Sequence, residues 1–568
     1  NDGQRYQLVD LNGEGLPGIL YRDDKAWYYR EPLRATPASH ADEVAYGPWC
    51  ELQQFPNTNS SKPVWQFLSD ITGDGSLDWV MAQPGLAGFF TCKPERSWSN
   101  FTPLEAFPQE FFHPQGQLVD LMGNGLSDLA MIGPRSVRLY ANRREKGFAP
   151  GQEVAREADE DALPMPSNNA CELVAFSDVM GSGQQHLIRL RHNELKCWPN
   201  LGRGRFGKGF VFSELTFAYE EFDASRVLLA DLDGSGAADL IYLQPQGALI
   251  FINRSGNGFQ NQPIFLPWPE GVCYDRFCQV STADLQGLGC ASLVLTVPHM
   301  TPRHWRYDFV RAKPYLLCAT NNNMGAATTI GYRSSAQEWL DEKHHLLACG
   351  RSPVCRLPFP VPVVGNQTQH DEITGNRLTQ RFTYREGFYD PTEREWRGFG
   401  LLLSTDCEAF AGPHQEGYSA PVLRKTWFHV GRDLHQHCEG CFAGDPSAQP
   451  LGPHLLSRYH EQDGLDQITE PSGPQREAML VALAGQVLRV ETFAADSGVG
   501  VPYTLEQNRY LVRQLDRPVG GRFAPYTVML TLPVEAISYH YEQQANDPAC
   551  RHSIGLRWDA FGQLNQGI

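Results

Sequence analysis

Short apolar runs separated by turns rich in glycine and aspartate make up most of the first 310 residues. An apolar run precedes each turn and another follows it, as Val227–Ala230 and Leu240–Leu243 do on either side of one turn. Runs this short, bounded by Gly and Asp, are typical of β-strands, and stretches with long helical periodicity are scarce. The pattern therefore predicts an all-β protein.

The turns between these runs are six copies of one acidic, glycine-rich loop. Their leading aspartates lie 60, 50, 58, 53 and 53 residues apart, which is the spacing expected of propeller blades. The copies are Asp10-Leu-Asn-Gly-Glu-Gly15, Asp70-Ile-Thr-Gly-Asp-Gly75, Asp120-Leu-Met-Gly-Asn-Gly125, Asp178-Val-Met-Gly-Ser-Gly183, Asp231-Leu-Asp-Gly-Ser-Gly236 and Asp284-Leu-Gln-Gly-Leu-Gly289. Six blades are the natural count, so we predict a six-bladed β-propeller over residues 1–310.

Two landmarks recur at fixed distances after the loop aspartate. An asparagine lies 22 residues after it and a phenylalanine 28 residues after it in three repeats: Asn142, Asn200 and Asn253, and Phe148, Phe206 and Phe259. Trp98 takes the aromatic place in the second repeat. We expect the loop glycines to supply positive φ and the aromatic rings to pack between neighbouring blades. Trp98, Trp198 and Trp268 are also candidates for partner contact, although inter-blade packing is the commoner use.

Composition narrows the classes of partner and compartment. The chain has 568 residues with 48 basic and 65 acidic side chains, a net charge of −17, which disfavours nucleic acid and anionic membranes as main partners. Its fourteen cysteines are irregularly spaced, as in a protein made in a reducing cytosol. Residues Asn1–Arg5 do not resemble a signal peptide, and we expect the chain to be a fragment of a longer polypeptide.

The acidic loops suggest a calcium site. They present oxygen atoms at alternate positions of a tight turn, and calcium takes six to eight such ligands. The fifth loop offers the fullest set, and the second loop follows it: Asp231, Asp233, Ser235 and Asp239, then Asp70, Asp74 and Asp78. The alternative is that each aspartate caps its own turn by accepting hydrogen bonds from backbone N–H groups. Calcium binding is a prediction, and the protein is not expected to require a cofactor.

Other motifs carry less weight. Gly13-Glu-Gly-Leu-Pro-Gly18 matches a dinucleotide-binding pattern, but Pro17 leads into a strand where that pattern needs a helix. His435-Gln-His-Cys-Glu-Gly-Cys441 has residue types that bind zinc, although four ligands within seven residues converge poorly. Nucleophile signatures such as G-x-S-x-G are absent. We therefore predict no catalytic residues and no enzymatic activity.

The composition changes after Pro298, and the second half carries motifs of a different kind. It contains Tyr384-Arg-Glu-Gly-Phe-Tyr-Asp390, Glu393-Arg-Glu-Trp-Arg-Gly-Phe-Gly400, Trp339-Leu-Asp-Glu-Lys343 and Ser419-Ala-Pro-Val-Leu-Arg-Lys-Thr-Trp-Phe-His429. On these motifs, together with the acidic repeats, the chain resembles the B component of the insecticidal toxin-complex (Tc) family. That family is related to virulence-plasmid B-type proteins and combines an FG-GAP/VCBS-like propeller with a YD/Rhs-type β-shell.

The resemblance implies a role in protein translocation and virulence. Residues 1–310 would be the propeller, which docks on a pentameric, pore-forming A component and gates release of the cargo. Residues 311–568 would be the middle region and part of the shell, which is built with the C component around its toxic C-terminal region. The resemblance implies secretion after cytoplasmic synthesis and no direct insertion into membranes, and it leaves the docking residues unassigned.

Two rival functions remain open at this stage. A calcium-dependent, integrin-like adhesin or a carbohydrate-binding propeller would carry the same acidic loops. An enzyme built on a propeller would need carboxylates that converge in the central channel. Acids placed on equivalent turns of every blade suit architecture better than one active centre.

Overall fold

The computed structural model describes residues 6–22, 26–35, 42–52, 65–83, 85–93, 97–113, 115–166, 169–298, 302–408, 421–448, 450–495, 500–515 and 527–568. The motif residues Asn1–Arg5 and Ser419–Ala420 lie outside this part of the chain. The chain forms two compact units. The first unit is Asn1–Leu316 with Trp339–Pro362, and the second is Leu317–Glu338 with Val363–Ile568. Trp339–Pro362 thus belongs to the first unit, whereas the sequence division at residue 310 assigned it to the second.

The first unit is built from short antiparallel strands. In chain order they are β1 (Tyr6–Val9), β2 (Gly18–Arg22), β3 (Trp27–Arg30), β4 (Pro32–Arg34), β5 (Val44–Tyr46), β6 (Cys50–Glu51), β7 (Trp65–Ser69), β8 (Asp78–Gln83), β9 (Leu86–Thr91), β10 (Thr102–Pro103), β11 (Gly116–Val119), β12 (Asp128–Ile132), β13 (Ser136–Tyr140), β14 (Gln152–Ala155), β15 (Glu172–Ser177), β16 (His186–Arg191), β17 (Glu194–Trp198), β18 (Asn200–Gly202), β19 (Arg205–Phe206), β20 (Phe210–Glu214), β21 (Val227–Ala230), β22 (Asp239–Gln244), β23 (Gly247–Phe251), β24 (Ile264–Pro267), β25 (Gln279–Ala283), β26 (Ser292–Val297) and β27 (Arg303–Tyr307). In the described part of this unit, short 3-10 turns also lie at Gln109–Phe112, Arg144–Lys146 and Ala224–Arg226.

These strands form six blades, which confirms the predicted propeller. The blades are β1-β2-β3-β6, β7 to β10, β11 to β14, β15-β16-β17-β20, β21 to β24 and β25 to β27. Strands β4 with β5 and β18 with β19 are separate hairpins. Each acidic loop joins the first two strands of its blade, and in the fifth blade Ala230 lies opposite Asp239.

The last blade contacts the first, so the six blades form a closed ring. The Gln279 Nε2 atom on β25 donates a hydrogen bond to the Tyr6 carbonyl oxygen on β1 at 3.1 Å. The ring of His304 on β27 packs edge-on against that of Tyr6, with 5.2 Å between their centroids. Closure of this kind leaves only short, protected edges between blades.

The core lies between successive blades, as the aromatic landmarks predict. Phe259 of the fifth blade packs with Ile188 and Leu195 of the fourth. Phe148 of the third blade packs with Val80 and Phe89 of the second. Phe206 and Trp98 occupy the equivalent positions between two further pairs of blades. The prediction of inter-blade packing is therefore confirmed.

The three tryptophans considered as partner contacts are buried. Trp98, Trp198 and Trp268 are 5%, 1% and 6% exposed. Of the two interpretations, the structure supports the favoured one, inter-blade packing, because these side chains fill the hydrophobic core between blades.

The described part of the second unit is a long antiparallel sheet with one parallel pair of strands. Its strands are β28 (Ala319–Asn321), β29 (Ala326–Ser334), β30 (Pro362–Asp371), β31 (Arg377–Asp390), β32 (Glu395–Glu408), β33 (Val422–Phe428), β34 (Leu455–His460), β35 (Leu465–Thr469), β36 (Val487–Ala494), β37 (Thr504–Gln514), β38 (Met529–His540), β39 (Ala549–Trp558) and β40 (Leu564–Gly567). Among the described residues, the main path runs β28 to β33, then β36 to β40, and β34 pairs in parallel with the second half of β37.

Among the residues that the structure describes, two α-helices accompany the strands: α1 (Ser335–Ala348) and α2 (Gly473–Leu483). The division between the two units falls within α1. At the start of α2, the Gln475 side chain accepts a hydrogen bond from the Ser472 backbone N–H at 3.1 Å, one half of a capping box. Met479 and Leu483 of α2 then pack on Tyr510 of β37. None of the described helices is long and apolar enough to cross a membrane.

Candidate functional site

The leading aspartate of each acidic loop caps its own turn. In the fifth loop, Asp231 Oδ1 accepts the Gly234 N–H at 2.7 Å and Oδ2 accepts the Gly236 N–H at 2.9 Å. Both glycines have positive φ, +72° and +85°, a conformation that L side chains rarely adopt. The other five leading aspartates accept backbone N–H groups in the same way: Asp10, Asp70, Asp120, Asp178 and Asp284. The capping alternative from the sequence thus holds in every loop.

A second carboxylate, eight residues after the first, lies in the core of three blades. Asp78, Asp128 and Asp239 are each 0% exposed. The Asp239 carboxylate accepts the Leu232 and Asn253 backbone N–H groups at 2.9 and 2.7 Å. Burial raises the pKa of Asp78 to about 7 and that of Asp239 to about 6. These acids hold the loop against its own blade.

In the first and fourth blades, where this acid is missing, other residues hold the loop against the blade. In the fourth blade, His186 Nδ1 accepts the Asn200 N–H at 3.0 Å, which matches the bond from Asn253 to Asp239. In the first blade the position is Gly18, and a Cβ there would lie 2.3 Å from the Tyr29 hydroxyl. Tyr29 thus fills the space of the absent carboxylate. The sequence shows that Gly18 stands where the acid should be, but it did not lead us to Tyr29 or His186. The eight-residue offset from Asp178 would have pointed to His186, whereas Tyr29 lies outside that offset.

One serine–histidine pair resembles a catalytic dyad, but its hydrogen bonds give it a structural role. Ser182 Oγ lies 2.8 Å from His186 Nε2. Because Nδ1 already accepts a backbone N–H, the neutral ring carries its proton on Nε2 and cannot remove one from Ser182. Burial lowers the pKa of His186, which favours that neutral ring. The Asp178 carboxylate is 3.7 Å from Nε2, the nitrogen that faces the serine, whereas a triad aspartate orients the other nitrogen.

The fifth loop brings together three of the predicted calcium ligands. Ligand oxygens of Asp231, Asp233 and Asp239 lie within 4.8 Å of one another. Within the described ranges, no other set of three His, Cys, Asp or Glu residues meets this distance, so Asp70, Asp74 and Asp78 of the second loop do not. Ser235 Oγ accepts the Ala237 N–H at 3.4 Å, on the edge of the same loop. Three carboxylates in one place suit a hard divalent cation, and calcium at the fifth loop stays a prediction.

The soft-metal cluster is not assembled. His435, Cys438 and Cys441 do not converge as a ligand set in the described part of the chain. Cys438 and Cys441 instead pack beside Trp427 and Leu401. Burial raises the pKa of the Cys438 thiol to about 12, so the thiolate that zinc needs is disfavoured.

Chain segments that follow the sixth blade cover several of the acidic loops within the first unit. Lys313 Nζ lies 3.4 Å from the Gly234 carbonyl oxygen and 3.3 Å from that of Gly289, in the fifth and sixth loops. The Tyr315 hydroxyl donates to Asp233 Oδ2 at 3.3 Å. The loops thus serve as attachment points for this segment.

Two family models match the chain. One, described as the insecticide toxin TcdB middle/N-terminal region, matches residues 253–431, and the other, the TcdB middle/C-terminal region, matches residues 478–568. A comparison with curated proteins found no match.

Solved structures match nearly the whole chain. A chain of the Photorhabdus luminescens Tc holotoxin pore is 44% identical over 100% of this chain, with a TM-score of 0.89. The crystal structures of TcdB2-TccC3-Cdc42 and of TcdB2-TccC3 are each 43% identical over 99% of this chain, both with TM-scores of 0.75. In all three cases the match covers 26% of the solved chain, so this chain spans about a quarter of the length of these relatives.

Proposed function

The chain belongs to the Tc toxin B-component family, and we propose that it is a non-enzymatic delivery subunit of a bacterial toxin. Its propeller docks on a pore-forming A component and gates the release of cargo. Its long sheet forms part of a shell, built with a C component, that encloses that cargo.

The match to the Tc holotoxin pore carries this proposal. It extends over 100% of the chain at 44% identity, so both units have a counterpart in that assembly. TcdB2 is named together with TccC3 in the matching crystal structures, which supports a C component as a partner. Secretion after cytoplasmic synthesis follows from the same proposal.

The second unit has features that suit a shell. Strands β31 and β32 are 14 residues long and pair along most of their length. Among the described residues, the outer strands β28 and β40 each pair on one side only. An open edge of this kind accepts further strands, as a larger shell requires.

The acidic loops support a non-enzymatic role. Their leading aspartates are engaged by backbone N–H groups, and His186 holds a proton toward Ser182. A net charge of −17 opposes nucleic acid as a partner. These observations favour a scaffold and a docking module over a catalytic centre.

A calcium-dependent adhesin is the second candidate. The convergence of Asp231, Asp233 and Asp239 favours it, because integrin-like propellers and many lectins use calcium at loops of this type. An adhesin would need calcium to bind its surface ligand, whereas docking on an A component would not.

The test is binding of the purified 568-residue chain to a Tc A pentamer by biolayer interferometry, with calcium and with chelator. We expect tight binding under both conditions. Hydrogen exchange on the complex should then protect amides of the first unit more than those of the second. Absence of binding by a chain whose circular dichroism and thermal transition show that it is folded contradicts the proposal. Binding to a glycan array only with calcium would support the adhesin.

A further inference from the structure

The ammonium group of Lys343 is buried against the first acidic loop. Lys343 and Glu14 are 1% and 5% exposed. Lys343 Nζ lies 2.7 and 2.9 Å from the two Glu14 carboxylate oxygens, 2.9 Å from Glu31 Oε2 and 3.1 Å from the Pro32 carbonyl oxygen. All four contacts lie within the first unit. A charge this deeply buried is tolerated only when it is paired and hydrogen-bonded.

Lys343 belongs to the segment Trp339–Pro362, called the strap below. A second ion pair joins the strap to the β4–β5 hairpin, because Asp341 Oδ1 lies 3.0 Å from Arg34 Nε on β4. The strap therefore contacts the first acidic loop through the Lys343 ammonium and the adjacent hairpin through the Asp341 carboxylate.

The far end of the strap lies over the first two acidic loops. A Cβ on Gly15 would be 3.0 Å from the backbone of Phe359 and Pro360, and one on Gly75 would be 2.2 Å from Pro358 Cγ. The missing side chains of these glycines make room for the strap. A cavity of about 510 Å³ remains between the strap and the loops, lined by residues that include Lys343, Glu14 and Lys93.

Glu14 occupies the fifth position of its loop, which in a calcium-binding loop presents an oxygen to the ion. Here that oxygen faces the Lys343 ammonium. The first loop also lacks the last acid, because Gly18 stands in its place and Tyr29 fills the space. A ligand set reduced in this way matches a single positive charge better than a divalent ion.

We propose that Lys343 is a built-in cation that takes the place of a metal ion at the first acidic loop and latches the strap onto the propeller. The lysine neutralises buried carboxylates and, because it is covalently part of the strap, fastens that segment without an external ligand. Burial raises the pKa of Glu14 and the Lys343 charge opposes the rise, so the two groups depend on each other. The inference does not depend on docking to an A component.

The latch is tested by trypsin cleavage of the native 568-residue chain, followed by mass spectrometry. Arg351 and Arg356 are exposed arginines on the strap. Lys343→Met removes the charge with little change in length, and it should speed cleavage after both arginines about tenfold, because local release exposes the strap. The matched control is Lys93→Met, which makes the same change on an exposed side chain of the same cavity and should leave the cleavage rates unchanged.

Two carboxylate variants separate a latch from a general loss of stability. Glu14→Gln with Glu31→Gln should also speed cleavage. Adding Lys343→Met to that pair should not increase the cleavage rate further, because the three neutral side chains leave no buried charge without a partner. Glu31→Gln alone gives a milder form, with an increase of about threefold, if Lys343→Met does not fold. The proposal is overturned if folded Lys343→Met or Glu31→Gln is cleaved at the wild-type rate. It is also overturned if the combined variant is cleaved faster by the product of the two separate increases, because the lysine and the glutamates would then act independently.

Discussion

At the scale of single residues, a hydrogen-bond network explains the fixed spacing of the repeat. The Asn253 backbone N–H donates to Asp239, and its Nδ2 donates to the Val179 carbonyl of the preceding blade at 2.8 Å and to the Ala238 carbonyl at 2.9 Å. Asn142 makes the same three bonds two blades earlier, with Ile71 in the preceding loop. One asparagine thus ties its strand to its own loop and to the neighbouring blade.

Replacing Asn253 should weaken the contact between the fourth and fifth blades. Asn253→Ala leaves buried carbonyl groups without donors, and we expect a loss of about 1–3 kcal/mol in the free energy of unfolding. Urea denaturation followed by circular dichroism measures it. Asn257→Ala is the matched control in the same turn, because Asn257 Nδ2 contacts exposed carbonyls of Arg254 and Ser255. Equal losses in the two variants would contradict the assigned role.

At the scale of elements, one aromatic side chain of the repeat joins each of four pairs of neighbouring blades across the core. Phe259 is 1% exposed and contacts the fourth blade from the fifth, whereas Phe265 on β24 is 49% exposed. The two phenylalanines lie six residues apart in the same blade. Their burial, rather than their residue type, should decide how much each side chain contributes to the free energy of unfolding.

Truncation of Phe259 should therefore destabilise the propeller far more than truncation of Phe265. We expect Phe259→Ala to cost about 3–5 kcal/mol, because it leaves a cavity between blades. Phe265→Ala should change stability by less than about 0.5 kcal/mol. Chemical denaturation of both variants measures the difference. Similar losses would mean that the blades are not held together at this position.

The fifth acidic loop is the element on which calcium should act. We expect saturating calcium to raise the melting temperature of the wild-type chain by about 5 °C relative to chelator, because a ligand that binds only the folded state stabilises it. Asp233→Asn should abolish the shift. Asp74→Asn, the matched change in the second loop, should preserve it, because the ligands there do not converge. If the calcium-dependent shift survives in Asp233→Asn, the ion binds elsewhere. If the wild-type chain shows no shift, the predicted calcium site is wrong.

At the scale of the whole molecule, the two units carry buried groups with opposite pH dependence. In the first unit, burial raises the pKa of Asp10 from 3.8 to about 7, and the charge of nearby Glu14 adds to the rise. In the second unit, burial lowers the pKa of His429 and His454 to about 4. The two histidine rings lie 5.6 Å apart.

The charged neighbours of this histidine pair are mixed. His429 faces His454, Asp433 and Arg397, and His454 faces Arg509 and His435. The Asp433 carboxylate raises the pKa of His429, while the arginines and the other histidines lower the pKa values. Burial is the largest cause for both rings, so the folded second unit favours the neutral pair.

The sign of each contribution follows from proton binding. Folded Asp10 holds its proton up to about pH 7, so its contribution to stability is complete below pH 3.8 and is lost as the pH rises through about 7. The contribution of the histidines is complete above 6.5 and is lost as the pH falls through about 4. From about pH 7.5 to about pH 5, these groups should strengthen the first unit and weaken the second.

Hydrogen exchange at about pH 7.5 and about pH 5, corrected for intrinsic exchange rates, measures the change in stability of each unit on amides of β2 and β37. We expect protection factors to rise for β2 and fall for β37 at the lower pH. Asp10→Asn should reduce the change in the first unit, and His454→Gln should reduce it in the second. Changes of the same sign in both units would show that other groups control the pH response.

Much of the architecture could be predicted from local sequence. The loop aspartates and glycines specify turns of one type, and the apolar runs specify strands, so the count of six blades follows from the repeat. The aromatic landmark predicted inter-blade packing, because its offset places it beyond the third strand of each blade. The motifs of the second half indicated the family in a different way, through their resemblance to motifs of the Tc B components.

Long-range contacts could not be predicted in this way. Glu14 and Lys343 are 329 positions apart, and no local pattern shows that the two side chains meet. The convergence of Asp231, Asp233 and Asp239 but not of Asp70, Asp74 and Asp78 also depends on how each loop is seated in its blade.

The sequence by itself determined the strands, the turns and the six-fold repeat, because periodicity and turn chemistry act over a few neighbouring residues. It indicated the family only through the resemblance of its motifs to those of the Tc B components. Only the tertiary structure decided that the strap belongs to the first unit, that Tyr29 and His186 replace missing acids, and that a lysine serves as the cation of the first loop. These features arise where separate parts of the chain pack together, and burial there makes each unpaired charge or empty space costly enough to select a specific partner.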